Sequence, residues 1–207
     1  MRHMVFLCID TATARTQVGL FDGVSHRWVA FRWDFTPTVE CMDLLIQRTL
    51  EDGKLALNDL EGIAACAGPG GLLGLRMAKI SVDVWRILTA KVPIFSYNAL
   101  HLVAEDLLLQ KKENFALYAQ INREKFYVLR VKKGNFSPIA LENFQICEME
   151  YYFLPINGDK NNAQRLPKLI SYDLKFMGVA LAKSMVQLSF WEEFRLCVIL
   201  NDFSGSA

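Results

Sequence analysis

Short apolar runs and one-sided helical stripes alternate along the first hundred residues, and this alternation predicts the elements. Val5-Phe6-Leu7-Cys8-Ile9 is apolar at every position, the pattern of a strand buried on both faces. It ends in the small and polar side chains Asp10-Thr11-Ala12-Thr13. Gln17–Phe21 alternates up to Asp22-Gly23, a hairpin turn signal, and Arg27–Trp33 resumes as strand. Val39–Asp52 has helical spacing and stops at Gly53, with Val39, Met42, Leu45, Ile46 and Leu50 on its main stripe. Cys41 and Leu44 widen that stripe toward a side that should be polar. Leu60–Ala67 and Val92–Tyr97 read as two further strands. The order βββαβαβ predicts a mixed sheet with helices on its faces.

Between the last two strands lies Ala67-Gly68-Pro69-Gly70-Gly71-Leu72-Leu73-Gly74-Leu75-Arg76, a glycine-rich strand-to-helix junction. It can turn sharply and approach another group closely, and amides at a helix start can receive an anion. A tight connection without ligand is the equal alternative. The helix that follows, to Ala90, carries two apolar stripes at about 100° per residue. Met77, Ile80, Val84, Ile87 and Leu88 form one; Leu75, Ala78, Val82 and Trp85 form the other. A helix covering one sheet needs a single stripe, so the second either lies inside the chain's own domain or meets another chain.

After Tyr97 a helix over Asn98–Lys112 leads to a second strand pair, Phe115–Ile121 and Lys125–Lys132, with Asn122-Arg123-Glu124 between them. The early strand pair with its polar turn therefore begins again, which suggests a topological repeat. Weaker signals place strands at Ile139–Met149, Leu154–Asn157 and Arg195–Leu200, and helices at Ala163–Ile170 and Met177–Phe190. Two subdomains are expected, residues 1–97 and a smaller 98–207, with the last helix able to pack back on the first.

The 207 residues are 52% hydrophobic and 22% charged with a net charge of +1, a globular composition without a basic run for nucleic acid or anionic lipid. Five cysteines without CxxC spacing fit buried, reduced thiols, and the apolar start is too short for a signal peptide. No membrane association and a cytoplasmic location are expected. Asp10 with Thr11 and Thr13 could hold a metal-associated phosphate or form an Asx-type turn. Arg123 could hold an anion or lie in solvent, and Asn122 lacks the carboxylate that Mg²⁺ prefers. The three histidines, His3, His26 and His101, lack metal-binding spacing. No acid–base pair stands out.

Three blocks together resemble the TsaB (YeaZ) family: Ile9-Asp10-Thr11-Ala12-Thr13; Val18-Gly19-Leu20-Phe21-Asp22-Gly23; and Gly68-Pro69-Gly70 with Gly74-Leu75-Arg76. Their spacing agrees across residues 4–105, and similarity thins to Ala119–Tyr127 and Gly158. The resemblance implies an actin-like ATPase fold of two subdomains. It implies a non-catalytic subunit that docks on a TsaD-type partner, which transfers threonylcarbamoyl to a tRNA adenosine, with a TsaE-type ATPase completing the assembly. It also places the partner contacts on the helices Val39–Asp52 and Leu75–Ala90. The chain departs from the family pattern where Gly71-Leu72-Leu73 replaces Ser-Phe-Thr, Thr38 a histidine and Asn122 an aspartate, and the late Pro-x-Tyr-x-Arg is missing.

Taken together, the expected partner face comprises Cys41, Leu44, Leu75, Val82 and Trp85, which should also form a two-fold four-helix homodimer when the partner is absent. Candidate nucleotide or anion contacts are Asp10, Thr11, Gly68, Gly70, Gly71 and Arg76. No cofactor of its own is expected, although ATP or ADP could sit at the partner interface. tRNA is expected only through the complex. A small-molecule phosphotransferase using Asp10 and the glycine loop is the alternative function.

Overall fold

The computed structural model describes residues 4–88, 92–121, 124–143, 149–154 and 172–187. In chain order the first half contains β1 (Val5–Asp10), β2 (Thr16–Asp22), β3 (Arg27–Asp34), α1 (Thr38–Gly53), β4 (Gly62–Cys66), α2 (Leu72–Leu88), β5 (Ile94–Tyr97) and α3 (Ala99–Leu109). The second contains β6 (Asn114–Gln120), β7 (Lys125–Lys132), β8 (Asn135–Phe136), β9 (Ala140–Asn143), β10 (Glu150–Leu154), α4 (Gly178–Ser184) and β11 (Val186–Gln187).

One sheet has the order β11-β5-β4-β1-β2-β3. β1 runs antiparallel to β2 and parallel to β4, and β4 runs parallel to β5. The uniformly apolar β1 is explained by its place: Leu7 and Ile9 enter a core with α1 and α2, while Phe6 and Cys8 enter one on the opposite face. That second core takes in α3, α4 and side chains of β6 and β7. Helices thus lie on both faces, and the two sheets share the middle layer.

The second sheet has the order β10-β6-β7-β8, with β9 also paired to β7. β6 is antiparallel to β7 and parallel to β10, as β1 is to β2 and β4. The repetition suggested by the two hairpins therefore exists in topology. The chain then returns to its beginning, because β11 pairs antiparallel with β5 and α4 packs into the core below β1.

Several expectations change. The helix of the glycine junction begins at Leu72, inside the stretch read as loop, because Gly74 lets its first turn lie against Thr11; a Cβ there would sit 2.7 Å from the Thr11 carbonyl oxygen. Of the strand expected at Leu154–Asn157, only Leu154 lies among the described residues, as the end of Glu150–Leu154, which pairs with β6. The helix expected over Met177–Phe190 is described only at Gly178–Ser184, and Val186–Gln187 forms a sheet edge. Of the strand expected over Ile139–Met149, Ala140–Asn143 is observed. Ala163–Ile170, Arg195–Leu200, Gly158, Asn122 and Arg123 lie outside the described residues.

The largest correction concerns the two helices. Leu75 and Val82 are fully buried, and with Ala78 they face the chain's own sheet. Trp85 is half-buried against the same core, and Cys41 is buried on α1 with its thiol donating to the Thr36 carbonyl. These residues do not form an outward face. Of the other stripe, Ile80 (54%), Ile87 (80%) and Val84 are exposed, while Met77 packs against the same core. On α1 the exposed apolar residues are Val39 and Leu44, so Leu44 alone keeps its expected exposure. Both stripes were visible, but only the sheet determines which is buried.

Val82→Glu should consequently destabilise the isolated chain by roughly 3–5 kcal/mol, because an ionised carboxylate has no partner in that core. Ile87→Glu should cost no more than about 0.5 kcal/mol. Urea denaturation followed by circular dichroism distinguishes the two, and equal losses would contradict the assignment of faces.

Candidate functional site

Three parallel strands end side by side, so β1 delivers Asp10, β4 delivers Cys66 and β5 delivers Tyr97 to one edge of the sheet. Ligands of open α/β sheets bind beyond such carboxyl ends. Here that edge is filled by the chain itself. Asp10 is 0% exposed. Its Oδ1 accepts the Ala12 backbone N–H at 2.9 Å, the Asx-type bond of a tight turn. Its Oδ2 accepts the hydroxyls of Tyr97 and Tyr172, each at 2.9 Å.

Tyr172 belongs to a segment fastened at three successive residues. After the tyrosine, Asp173 pairs with Arg15 at 2.7 Å, and the Leu174 N–H donates to Gln17 Oε1 at 3.0 Å. The Gln17 amide in turn donates to Thr13 Oγ1 at 3.3 Å. The Arg15 guanidinium lies 5.2 Å from the centre of the Trp33 ring. Residues 172–174 therefore form a strap over the β1–β2 turn, and they close the space beside Asp10.

The glycine junction packs on the same turn. Gly68 has φ +100°, a left-handed geometry that favours glycine, and its carbonyl accepts the Ala99 N–H at 2.8 Å. A Cβ on Gly70 would meet the Ala12 Cα at 2.4 Å, a backbone collision that no rotamer relieves. The Thr11 hydroxyl is buried against the first turn of α2 without a hydrogen-bond partner. Of the expected anion contacts, Asp10, Thr11, Gly68 and Gly70 thus meet in one closely packed junction. Gly71 is half-buried at its edge, and Arg76 is exposed on α2. Of the two readings of Asp10, the Asx-type turn is present, and its carboxyl is enclosed by donors from its own chain.

Burial is the main influence on Asp10 and pushes its carboxyl above the ordinary range, while bonds from Ala12, Tyr172, Tyr97 and Cys66 pull it part of the way back. Burial, and then the Asp10 charge, push both tyrosines well up, and the same two causes raise the Cys8 thiol. The two tyrosines and the Cys8 thiol are thereby held in their neutral forms. Among the described residues no cluster of His, Cys, Asp and Glu could hold a metal ion, and no helix is long and apolar enough to cross a membrane. The sequence drew attention to Asp10 but gave no sign of Tyr172, which lies 162 positions away. Tyr97, ending an apolar strand in the same parallel set, was within reach of strand-order reasoning.

A carboxyl with a raised folded pKa contributes stability that is complete below its unfolded value of about 3.9 and is lost as pH rises through the folded value. The stability margin of the native chain over Asp10→Asn should accordingly be largest near pH 4 and narrow as pH rises. Tyr172→Phe should cost about 1–3 kcal/mol, more at higher pH where the lost donor served an ionised acceptor. Urea titrations across pH test both; a margin over Asp10→Asn that widens with pH would contradict the burial of this carboxyl.

No family model matches the chain. Among solved structures it is similar to YeaZ from Pseudomonas aeruginosa, with TM-score 0.63 and 17% identity over 86% of this chain and 89% of that one. A protein described as similar to peptidase YeaZ, from the same organism, gives TM-score 0.62 and 16% identity over 90% and 95% of the two chains. In sequence, 78 residues are 35% identical to a tRNA N6-adenosine threonylcarbamoyltransferase of Methylobacterium sp. (strain 4-46), covering 38% of this chain and 22% of that protein. The same-named protein of Methylobacterium nodulans is 36% identical over 75 residues, 36% of this chain and 21% of that one. The chain thus spans under a quarter of the length of these relatives. Its architecture agrees with the resemblance read from the three motif blocks: the chain has the actin-like ATPase fold in the form found in YeaZ.

Proposed function

We propose that this chain is a non-catalytic, TsaB-like subunit that supports threonylcarbamoyl transfer to tRNA adenosine by docking on a TsaD-type partner. One observation carries the reading: in a YeaZ-like fold, the carboxylate at the end of β1 is sealed inside, while adjacent helices keep apolar side chains in water. A chain built this way has a surface to offer and no exposed acid–base machinery at that edge. The corrected docking face consists of Ile80, Val84 and Ile87 on α2, with Val39 and Leu44 on α1. Leu72 and Leu73 extend it to the glycine junction, where two apolar residues stand in place of the family's Phe and Thr.

The partial match to threonylcarbamoyltransferases fits a chain related to the enzyme it assists. A TsaE-type ATPase would complete the assembly, ATP or ADP would be held where subunits meet, and tRNA would be met through the complex. Without the partner, two copies would cover the same helices as a two-fold bundle. Phosphotransfer by the chain alone is disfavoured because Asp10 is saturated by its own neighbours.

Co-expression with the TsaD-type subunit of the same organism should yield a complex stable at about 10 μM. The double variant Ile80→Glu/Ile87→Glu should abolish it while retaining the fold, since both positions lie in solvent. Light scattering should show a homodimer of the isolated native chain and a monomer of the variant. Failure of the native pair to associate, or an unaffected variant, would overturn the reading.

A further inference from the structure

At the end of the first sheet opposite Asp10 lies a cavity of about 530 Å³. β1 pairs Asp10 with Gln17 at one end and Val5 with Asp22 at the other, so the β2–β3 turn is a full strand length from the glycine junction. The cavity sits between that turn, the last residues of α3 and the start of α4. Its volume falls within the range of small-molecule sites.

The walls are held in place. Gly178 lies so close to the β2–β3 turn that a Cβ would be 2.5 Å from the His26 carbonyl oxygen. The Trp28 ring is packed against Phe21 and Phe31, with centroids 5.2 and 4.9 Å away. Around these fixed points the lining is apolar and open, with Phe176 78% exposed and Leu109 and Val179 also in solvent.

The polar groups are unbalanced. Arg27 and Lys175 line the cavity with no ion-pair partner among the described residues. The single acid of the lining, Asp106, accepts from Gln110 at 2.7 Å. Trp28 also lines it, and its indole Nε1–H is buried with no acceptor, a donor desolvated without compensation. Two cations without an ion-pair partner among the described residues, beside an apolar wall, are complementary to an anion that carries a flat apolar body.

We propose that this cavity is a binding site for a small aromatic carboxylate. The carboxylate meets Arg27 and Lys175. The ring system lies along Phe176, Val179 and Leu109. The site is independent of the helix face assigned to the partner, so either assignment can fail alone.

Naphthoate is a suitable probe, with the neutral naphthamide as its control. In nuclear magnetic resonance spectra of the isotope-labelled full chain, naphthoate should shift the Trp28 indole N–H signal, identified by its loss in Trp28→Phe. Binding should saturate with Kd below about 1 mM. Naphthamide, and naphthoate with the Arg27→Glu/Lys175→Glu double variant, should each bind at least roughly tenfold more weakly. Val179→Trp, which fills the cavity from an exposed position, should abolish the shift. A Trp28 signal unmoved by about 5 mM naphthoate would overturn the assignment, as would equal binding of the amide or of the charge-reversed protein.

Discussion

The Asp10 carboxyl group ties together three distant parts of the chain. Its two oxygens accept from the turn that follows β1, from the end of β5 and from a tyrosine in the segment that leads back to β5's far edge. A buried carboxyl is costly unless its oxygens are met by donors. That requirement fixes where residues 172–174 must cross, and the Arg15–Asp173 and Gln17–Leu174 contacts hold the same crossing. The return of α4 and β11 to the first sheet depends on it.

The same constraint explains the glycine junction. Once Asp10 turns the chain through its bond to Ala12, the Ala12 backbone lies against Gly70 and the Thr11 carbonyl against Gly74. Glycines at those points allow backbone to meet backbone. A motif that elsewhere suggests phosphate is used here to close a joint. The apolar side chains left in solvent lie instead on the outer surfaces of α1 and α2.

Much of the first half was legible because its signals are local. Continuous apolar β1, the Asp22-Gly23 hairpin and the periodicities of α1 and α2 each declare an element within a few residues. The choice between α2's two stripes was not legible: both have the right spacing, and only the packing of Ala78 and Val82 on the sheet separates them. Tyr172, Asp173 and Leu174 were illegible for a related reason, since their roles arise from contacts across some 160 positions and no periodicity marks them. Asp10 stood out as a polar residue ending an apolar strand, but the same sequence suits an exposed ligand contact and an internal hydrogen-bond acceptor.

Amide hydrogen exchange at Ala12 and Leu174, in the presence and absence of ATP and Mg²⁺, tests the central claim most directly. Both amides donate to side chains inside the joint. They should therefore exchange only through opening on the scale of global unfolding, at rates unchanged by millimolar nucleotide. Fast exchange at these two positions, or protection that appears only when nucleotide is added, would show instead that the joint is an open site awaiting its ligand.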